Sequence, residues 1–348
     1  MTSSLQPAMS PIKTSALGGL LAAALLASAP AARADVTLVV SSWVPPSHLL
    51  TQTTMRWCDE VTKATSARVK CNLLPKPVAG PPGALDAVRD GVADLGFAVH
   101  GYTPGRFPLT AIAELPFLGD SAEAVSVAYQ RVHERHLAKA AEHKGVKVLA
   151  VFAHGPGEIY NIRRPVTSLA DMQGLKWRTG GGSVNDVGKA IGANVTLKPS
   201  TETYELLSTG VMDGVFFPPE SIDAFKLDRI VRHRTRFPGG LYNTSFAFFV
   251  NEAVWNRIPK ADQQIIERLS GEHAARMFGR AWDAADRRGL AVMQASGVQS
   301  VQANTEFVSR VKARTQPLER RWLDDAKARG VADPEKVLRE FRADAAKG

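Results

Sequence analysis

Residues 175–217 decide the fold, and they read LKWRTGGGSVNDVGKAIGANVTLKPSTETYELLSTGVMDGVFF. Three short runs in this stretch have the length and composition of strands: 175–178, 194–197 and 214–217. Two stretches with helical patterns separate them: 183–191 and 202–208. Strands that alternate with helices in this way predict a mostly parallel sheet with helices on both faces.

The same alternation precedes this stretch. Strands are predicted at 36–42, 69–74, 95–99 and 147–152, and helices at 49–64, 83–90 and 122–141. A helical pattern without internal proline covers 259–295, and a charged helix is predicted at 308–327. A chain of 348 residues favours two cores, because single cores stop growing at roughly 250–300 residues. We therefore expect two α/β lobes with a long helix packed across them.

The first 34 residues differ in composition from the rest. Lys13 supplies an early positive charge, an apolar run covers 16–29, and Ala32-Arg33-Ala34 has the pattern of a cleavage site. The run is shorter than the roughly 20 residues that a membrane-spanning helix needs. We expect a signal peptide over 1–34, cleaved near Ala34, and an exported protein; an uncleaved anchor is the alternative.

The charge balance is basic, with 43 Lys and Arg against 34 Asp and Glu and a formal net charge of +9. With 45% hydrophobic residues, the composition excludes a disordered or collagen-like chain. The densest basic run, at 229–236, contains no aromatic residue that stacks on bases, and export argues against nucleic acid as a partner. We interpret this run as a solvated face.

Cys58 and Cys71 are the two cysteines of the chain. Thiols oxidise outside the cytoplasm, so we expect one disulfide that ties the helix at 49–64 to the strand at 69–74. Such a loop contributes about 3 kcal/mol in the chain-entropy model. Two buried free thiols are the alternative.

A search for catalytic apparatus is negative. The chain has no Gly-x-Ser-x-Gly elbow, no His-Glu-x-x-His motif and no Walker loop. Residues 179–183, TGGGS, join a strand to a helix, but Asn185 stands where a dinucleotide fingerprint needs its third glycine. A glycine turn before a helix N-terminus suits a small anion, which makes Gly180 a candidate binding residue; a plain flexible turn is the alternative. We expect no catalytic residue and no cofactor.

Three histidines, His133, His136 and His143, have roughly helical spacing. Their stretch is rich in Lys, Arg and Glu, so we expect a solvated helix face and no metal site.

Further motifs point to one family. They are GRFP at 105–108, ELPF at 114–117, DMQGLKWR at 171–178, GANV at 192–195, GVMDG at 210–214, and Asn251 with Trp255 and Pro259. In this order and spacing they resemble the extracytoplasmic solute receptors of TRAP transporters, the DctP family. The resemblance implies a two-lobed periplasmic binding protein of class α/β. We assign 35–154 with 241–282 to lobe I, and 155–240 with 283–348, including the C-terminal helices, to lobe II.

The resemblance also implies a function. Such receptors close on a small-molecule organic acid in the periplasm and deliver it to integral-membrane TRAP permease subunits. The arginine that ends the GLKxR strand of the family, here Arg178, pairs with the ligand carboxylate, and a guanidinium suits this task because it donates two parallel hydrogen bonds. A structural salt bridge is the other role for Arg178. A binding module for a sensor or chemoreceptor, and a secreted enzyme, remain as other functions of the cleft.

Two positions depart from the family pattern. Sialic-acid and C4-dicarboxylate receptors carry an asparagine where this chain has Phe217, and a second arginine where it has Gly157. Each ligand oxygen buried without a partner costs about 1–3 kcal/mol. We therefore predict a monocarboxylate with an apolar or aromatic body, such as a 2-oxo or 2-hydroxy acid.

Other candidate wall residues follow predicted strands, where open α/β sheets bind ligands. They are Trp43, His100, Tyr102, Phe216 beside Phe217, and Tyr242 with Phe246 near the return crossing between lobes. Trp43 and Tyr102 combine an aromatic ring with a polar group that orients a ligand. Because neighbours on a strand point to opposite faces, one of Phe216 and Phe217 is expected in the core. Hinges are predicted near 153–157 and 240–244.

Overall fold

The computed structural model describes residues 35–347, together with residues 1–3, 6 and 8. The expected signal peptide therefore lies almost entirely outside the described residues. The strands are β1 (Val36–Val40), β2 (Val69–Leu73), β3 (Leu95–Val99), β4 (Val146–Ala153), β5 (Glu158–Asn161), β6 (Lys176–Thr179), β7 (Asn194–Leu197), β8 (Gly214–Phe217), β9 (His233–Arg236), β10 (Ser245–Asn251) and β11 (Gln299–Gln302).

The helices alternate with these strands. They are α1 (Leu49–Ala64), α2 (Ala84–Arg89), α3 (Ala122–Val132), α4 (Ser183–Ala190), α5 (Thr203–Ser208), α6 (Pro219–Ala224), α7 (Glu252–Arg257), α8 (Lys260–Arg268), α9 (Gly271–Ala295), α10 (Thr305–Ala328) and α11 (Pro334–Ala345). In the described part of the chain, no helix has both the length and the apolar composition needed to cross a membrane.

The strands form two sheets. The first has the order β2-β1-β3-β10-β4 and the second the order β11-β9-β5-β8-β6-β7. In the first sheet β1 pairs in parallel with β2 and β3, whereas β10 is antiparallel to both β3 and β4. In the second sheet β6 pairs in parallel with β7 and β8, whereas β5 is antiparallel to β8 and β9. The α/β class with two lobes is confirmed, and both sheets are mixed.

The antiparallel strands have a common origin. β5 follows β4 without an intervening helix, and β10 likewise follows β9, so each enters its sheet directly from the other one. Consecutive parallel strands of one sheet are joined by a crossover connection, usually a helix, whereas β5 and β10 each arrive from the other sheet without one. The two crossing segments run side by side, since Gly157 donates to the Tyr242 carbonyl at 2.7 Å and Leu241 donates to the Gly157 carbonyl at 2.9 Å.

Helix α9 packs against α1, α3 and β4 beside the first sheet and against α6 beside the second. Two glycines permit this packing. A Cβ on Gly279 would lie 2.5 Å from the Cα of Glu123, and one on Gly289 would lie 2.2 Å from the Pro219 carbonyl oxygen. The expected long helix across both lobes is therefore present. Helix α11 packs against α3, so the C-terminal helices also contact the first half of the fold. The assigned lobe limits stay a prediction.

Most predicted elements agree with the structure within one to three residues, and two predicted helices differ from it. The helical pattern at 259–295 is two helices, because the chain breaks at Ser270 and at Gly271, which has φ +56°. The helix predicted at 122–141 ends at Val132 and continues as a π-helical turn and a 3-10 turn. The structure adds the strands β5, β9, β10 and β11 and the helices α6, α7 and α11. Cys58 of α1 and Cys71 of β2 form a disulfide with 5.8 Å between their Cα atoms.

Candidate functional site

A cavity lies between the two sheets, beside the crossing segments. It encloses about 470 Å³ between protein atoms, including the part that opens to solvent. Seven predicted ligand-binding residues line it: Trp43, Tyr102, Arg178, Gly180, Phe216, Phe217 and Tyr242. His100 is not among the lining residues. The fold thus brings together side chains that are up to 199 positions apart in the chain (242 minus 43).

Arg178 lies in β6 and is 1% exposed. Its Nε donates to the Lys198 carbonyl at 2.8 Å, and its Nη2 lies 3.4 Å from the Tyr102 hydroxyl. No acidic side chain of the described residues forms an ion pair with it, and burial lowers the pKa of Arg178 because the guanidinium loses its hydration. A buried cation without an anion is costly, so the cavity favours an anionic occupant.

Tyr102 reaches this guanidinium from the other sheet. It ends the 3-10 turn His100–Tyr102 after β3, and its hydroxyl oxygen accepts from the Ser200 amide at 2.9 Å and from Nη2 of Arg178. A phenol accepts two hydrogen bonds and donates one. The Tyr102 proton therefore remains available to an acceptor in the cavity, beside the free Nη groups of Arg178.

Phe217 covers one face of the same guanidinium. The Arg178 Cζ lies 4.6 Å from the ring centroid, a distance typical of a cation–π contact, and Phe225 stacks on Phe217 at 5.5 Å. Phe216 packs in the core against Trp177, with 5.7 Å between ring centroids, although it also lines the cavity. Position 217 thus gives the site apolar surface and no hydrogen-bonding group.

Tyr242 fills the space beside Gly157. A Cβ on Gly157 would lie 2.3 Å from Cε1 of the Tyr242 ring, so no larger residue fits there while the ring keeps its position. Burial raises the pKa of Tyr242 well above its usual value, which keeps the hydroxyl neutral. An aromatic ring therefore fills the space beside Gly157.

Aromatic side chains form much of the remaining wall. Trp43 lines the cavity, but its Nε1 donates to the Phe97 carbonyl at 3.1 Å, so its polar group is already satisfied and its ring is what a ligand meets. Phe246, Phe225 and Trp282 also line the cavity. The sequence analysis missed Phe225 and Trp282, since an aromatic residue after a short helix, or within a long one, has the pattern of a core residue.

His154 also lines the cavity and was not predicted from the sequence as a binding residue, although it lies within the predicted hinge at 153–157. Its Nδ1 lies 2.5 Å from the Gly155 carbonyl oxygen, which only accepts, so Nδ1 carries the proton. Burial lowers the pKa of His154 to about 4, and the ring is neutral at pH 7. Its Nε2 is consequently an acceptor, and it has no hydrogen-bond partner within residues 35–347.

His48 connects the two sides of the cavity. Its Nδ1 accepts from the Leu50 amide at 3.2 Å and so caps α1, which places the ring proton on Nε2. That nitrogen lies 3.1 Å from Oε1 of Glu220 in α6, and both side chains are buried. His48 therefore bridges a helix of the first half of the fold and a helix of the second.

The glycine turn before α4 does not present its helix N-terminus to the cavity. The Ser183 amide donates to Oε2 of Glu114 at 3.0 Å, so the carboxylate at this N-terminus belongs to the chain itself. Gly180 lines the cavity, but the turn packs against Gly101, where an added Cβ would lie 2.8 Å from the Gly181 carbonyl oxygen. The expected anion site at this turn is already filled.

His100 belongs to a buried polar chain outside the cavity. Its Nδ1 lies 2.9 Å from Oγ of Ser245 and its Nε2 lies 2.8 Å from Nε2 of His143. The prediction of a solvated face was wrong for His133 and His143, which are 8% and 9% exposed. His133 begins the π-helical turn that follows α3, whereas His143 lies in the turn that precedes β4. Among the described residues there is no group of three or more His, Cys, Asp or Glu side chains that could hold a metal ion.

Comparison with known proteins agrees with this geometry. The family described as bacterial extracellular solute-binding protein, family 7, or DctP, matches residues 40–325. The chain belongs to this family. It is a TRAP-type extracytoplasmic solute receptor and not an enzyme, and family members act outside the cytoplasm.

Three members of the DctP family illustrate the similarity. A TRAP periplasmic solute binding protein from Bordetella bronchiseptica, crystallised with (R)-mandelate and (S)-mandelate, is 48% identical with a TM-score of 0.88, over 90% of this chain and 99% of that one. A TRAP solute binding protein from Rhodoferax ferrireducens, in complex with copurified benzoate, is 29% identical with a TM-score of 0.82, over 90% and 98%. The outer membrane transporter protein TsaT of Comamonas testosteroni is 30% identical over 94% of this chain and 97% of its own length.

Proposed function

We propose that this receptor captures an aromatic monocarboxylate of the 2-hydroxy acid class, of which mandelate is an example, and delivers it to a TRAP-type membrane permease. One observation carries the proposal. The Arg178 guanidinium is buried inside a cavity whose walls are largely aromatic, and none of the acidic side chains in residues 35–347 forms an ion pair with it. A carboxylate placed there accepts from the Nη groups of Arg178 and from the Tyr102 hydroxyl, and charge-assisted bonds of this kind contribute about 1.5–3 kcal/mol each.

The body of the ligand is proposed to be a phenyl ring or a group of similar size. The aromatic wall consists of Trp43, Phe217, Phe225, Phe246 and Trp282. Burying a phenyl group against it contributes about 1.5–3 kcal/mol. Hydroxyl groups of a sugar acid, or a second carboxylate, would meet rings there and lose hydrogen bonds to water at about 1–3 kcal/mol each.

Tyr242 supports the exclusion of dianions and sugar acids. Its ring takes the space beside Gly157, so the second cation that the family pattern places at 157 has no room. Phe217 likewise removes the amide that the pattern places at its position. The site then has one cation for one carboxylate.

His154 supports a preference for a hydroxyl group next to the carboxylate. Its Nε2 is a neutral acceptor on the cavity wall, and a ligand hydroxyl satisfies it by donating a proton. A keto group cannot donate, so we propose a 2-hydroxy acid in preference to a 2-oxo acid. The receptor from Bordetella bronchiseptica, in which mandelate is bound, shares 48% of its residues with this chain.

Delivery is proposed from family membership. We place capture in the periplasm after removal of residues 1–34, and we take the two sheets as the cores of lobes that bend at the crossing segments. The ligand favours the closed form because it contacts Tyr102 on one side and Arg178 on the other. The permease subunits then recognise that form.

Titration calorimetry tests the proposed ligand class. The purified receptor is titrated with (R)-mandelate, (S)-mandelate, benzoate, succinate and D-glucuronate. Mandelate binds tightest, and benzoate, which lacks the hydroxyl, binds roughly tenfold more weakly. Succinate and D-glucuronate give no measurable heat. Tight binding of either polar acid, with mandelate inactive, would contradict the proposal.

A further inference from the structure

Glu114 connects the two halves of the fold away from the ligand cavity. It ends the 3-10 turn Pro108–Glu114 and is 3% exposed. Its Oε1 accepts from the Ser245 amide at 3.1 Å and from the Ser245 hydroxyl at 2.7 Å, at the start of β10. Its Oε2 accepts from the Ser183 amide at 3.0 Å, at the start of α4, which packs on the second sheet. One carboxylate is thus shared between the first sheet and a helix of the second.

The fit around this carboxylate leaves no room for a side chain. A Cβ on Gly182 would lie 2.9 Å from Oε2 of Glu114 and 2.9 Å from the Cα of Gly101. Gly182 also has φ +62°, which side chains disfavour. The turn after β3 and the glycine turn before α4 therefore meet backbone to backbone, and the Glu114 carboxylate lies beside this contact, bonded to Ser183 and Ser245.

Buried donors point toward Glu114 from the first sheet. The Ser245 hydroxyl donates to Glu114 and therefore accepts from Nδ1 of His100, and Nε2 of His100 then accepts from His143. None of these groups lines the ligand cavity. Burial lowers the pKa of His100 well below its usual value, so the ring is neutral and has one N–H. The hydrogen bonds therefore run from His143 to His100, from His100 to Ser245 and from Ser245 to Glu114. Burial raises the pKa of the Glu114 carboxyl, and the bonds donated by Ser245 and Ser183 oppose this rise because they favour the ionised form.

We propose that Glu114 is a positioning residue for ligand capture. Without touching the ligand, its bond to the Ser183 amide holds the turn that carries Tyr102 against the strand that carries Arg178. Tyr102 follows a strand of the first sheet and Arg178 lies in the second sheet. Both can bind one carboxylate only if a contact fixes the first sheet relative to the second. The affinity readout of this inference rests on the proposed function, whereas its shape readout does not.

Two variants remove the contact from opposite sides. Glu114→Gln places an amide nitrogen, which donates, opposite the Ser183 amide or the Ser245 donors. Ser183→Pro removes the amide donor, and the Ser183 hydroxyl with it, while the helix can still form, because proline is favoured at the first position of a helix, where the N–H is outside the helical ladder. The matched control is Glu142→Gln. Glu142 is another poorly exposed carboxyl that accepts a backbone amide, that of Leu109 at 3.1 Å, without contact to α4.

The test measures affinity for (R)-mandelate by calorimetry and the radius of gyration of the ligand-free proteins by small-angle X-ray scattering. Glu114→Gln and Ser183→Pro each weaken binding roughly 10- to 100-fold and increase the radius of gyration, whereas Glu142→Gln stays within about twofold of the wild type in affinity. A merely structural role would lower the thermal midpoint and leave affinity unchanged in both variants, which overturns the inference.

Failure of the proposed ligand class is separable from failure of this inference. If the wild type binds no aromatic acid, the proposed function fails and the scattering data alone decide the role of Glu114. Equal radii of gyration in the wild type and both variants then overturn the inference, and larger radii in both variants support it.

Discussion

Replacing Arg178 with methionine separates ligand affinity from folding stability. The change keeps most of the side-chain volume but removes the guanidinium, so about two charge-assisted bonds to the ligand carboxylate are lost. We expect a loss of binding free energy of about 2–5 kcal/mol, which corresponds to a roughly 30- to 4,000-fold rise in Kd. The ligand-free protein should lose little stability, because Arg178 is buried with no ion pair to the described acidic residues and the cost of its desolvation offsets its bonds to Lys198 and Tyr102.

The assay pairs calorimetry with thermal unfolding of the ligand-free protein. The Arg178→Met variant is expected to bind (R)-mandelate with this weakened affinity, with a thermal midpoint within a few degrees of the wild type or above it. Arg178→Lys, which keeps the charge but not the planar fork, is the matched control and should retain part of the affinity. Unchanged mandelate affinity in Arg178→Met would show that another group holds the acid, and the account of the site would be refuted.

Three further predictions use the same protein. His154→Phe should reduce the preference for mandelate over phenylacetate, which lacks the hydroxyl, by roughly tenfold in competition calorimetry; an unchanged ratio would assign the hydroxyl to another partner. Gly157→Ala should lower the thermal midpoint, because its Cβ would lie 2.3 Å from the Tyr242 ring. In a Tyr242→Ala background the same change should lower the thermal midpoint little, and an equal loss in both backgrounds would contradict the packing argument. Burial lowers the pKa of His143 to about 3 and of His154 to about 4. Below pH 6.5 the unfolded chain therefore binds more protons than the folded protein, and the thermal midpoint should fall as the pH is lowered from about 6.5 to 4. Burial raises the pKa of Glu142 to about 7, so between about pH 7 and 4.5 the folded protein keeps a proton at Glu142 that the unfolded chain loses, and this stabilises the fold as the pH is lowered. Glu142→Gln removes this contribution and should make the fall in thermal midpoint steeper. A shallower profile would contradict the assignment.

The regular elements were largely predictable because their patterns are local. The helix at 49–64 and the strands at 95–99, 194–197 and 214–217 match the structure at both ends. Two missed strands, β9 and β11, are short and polar at the edge of the second sheet, so they carry no apolar run. Their strand conformation is imposed by their neighbours in the sheet.

The candidate site was predicted in part, for a similar reason. Residues near the ends of strands could be placed from the expected parallel sheet, such as Arg178 near the end of β6 and Tyr102 in the turn after β3. His100 follows β3 as well, but the 3-10 turn after the strand directs it away from the cavity toward Ser245 and His143. Nothing in the local pattern distinguishes these two outcomes within one turn.

The alternation of strands and helices, the family and the candidate arginine could be predicted from the sequence, because they depend on local periodicity and on motifs read in order. The hydrogen-bond partners of Arg178, the packing of the Tyr242 ring beside Gly157 and the Glu114 carboxylate at the N-terminus of α4 are visible only in the tertiary structure. Those facts depend on contacts between residues far apart in the chain, and the free energy of each contact comes from burial and donor geometry, which no local pattern encodes.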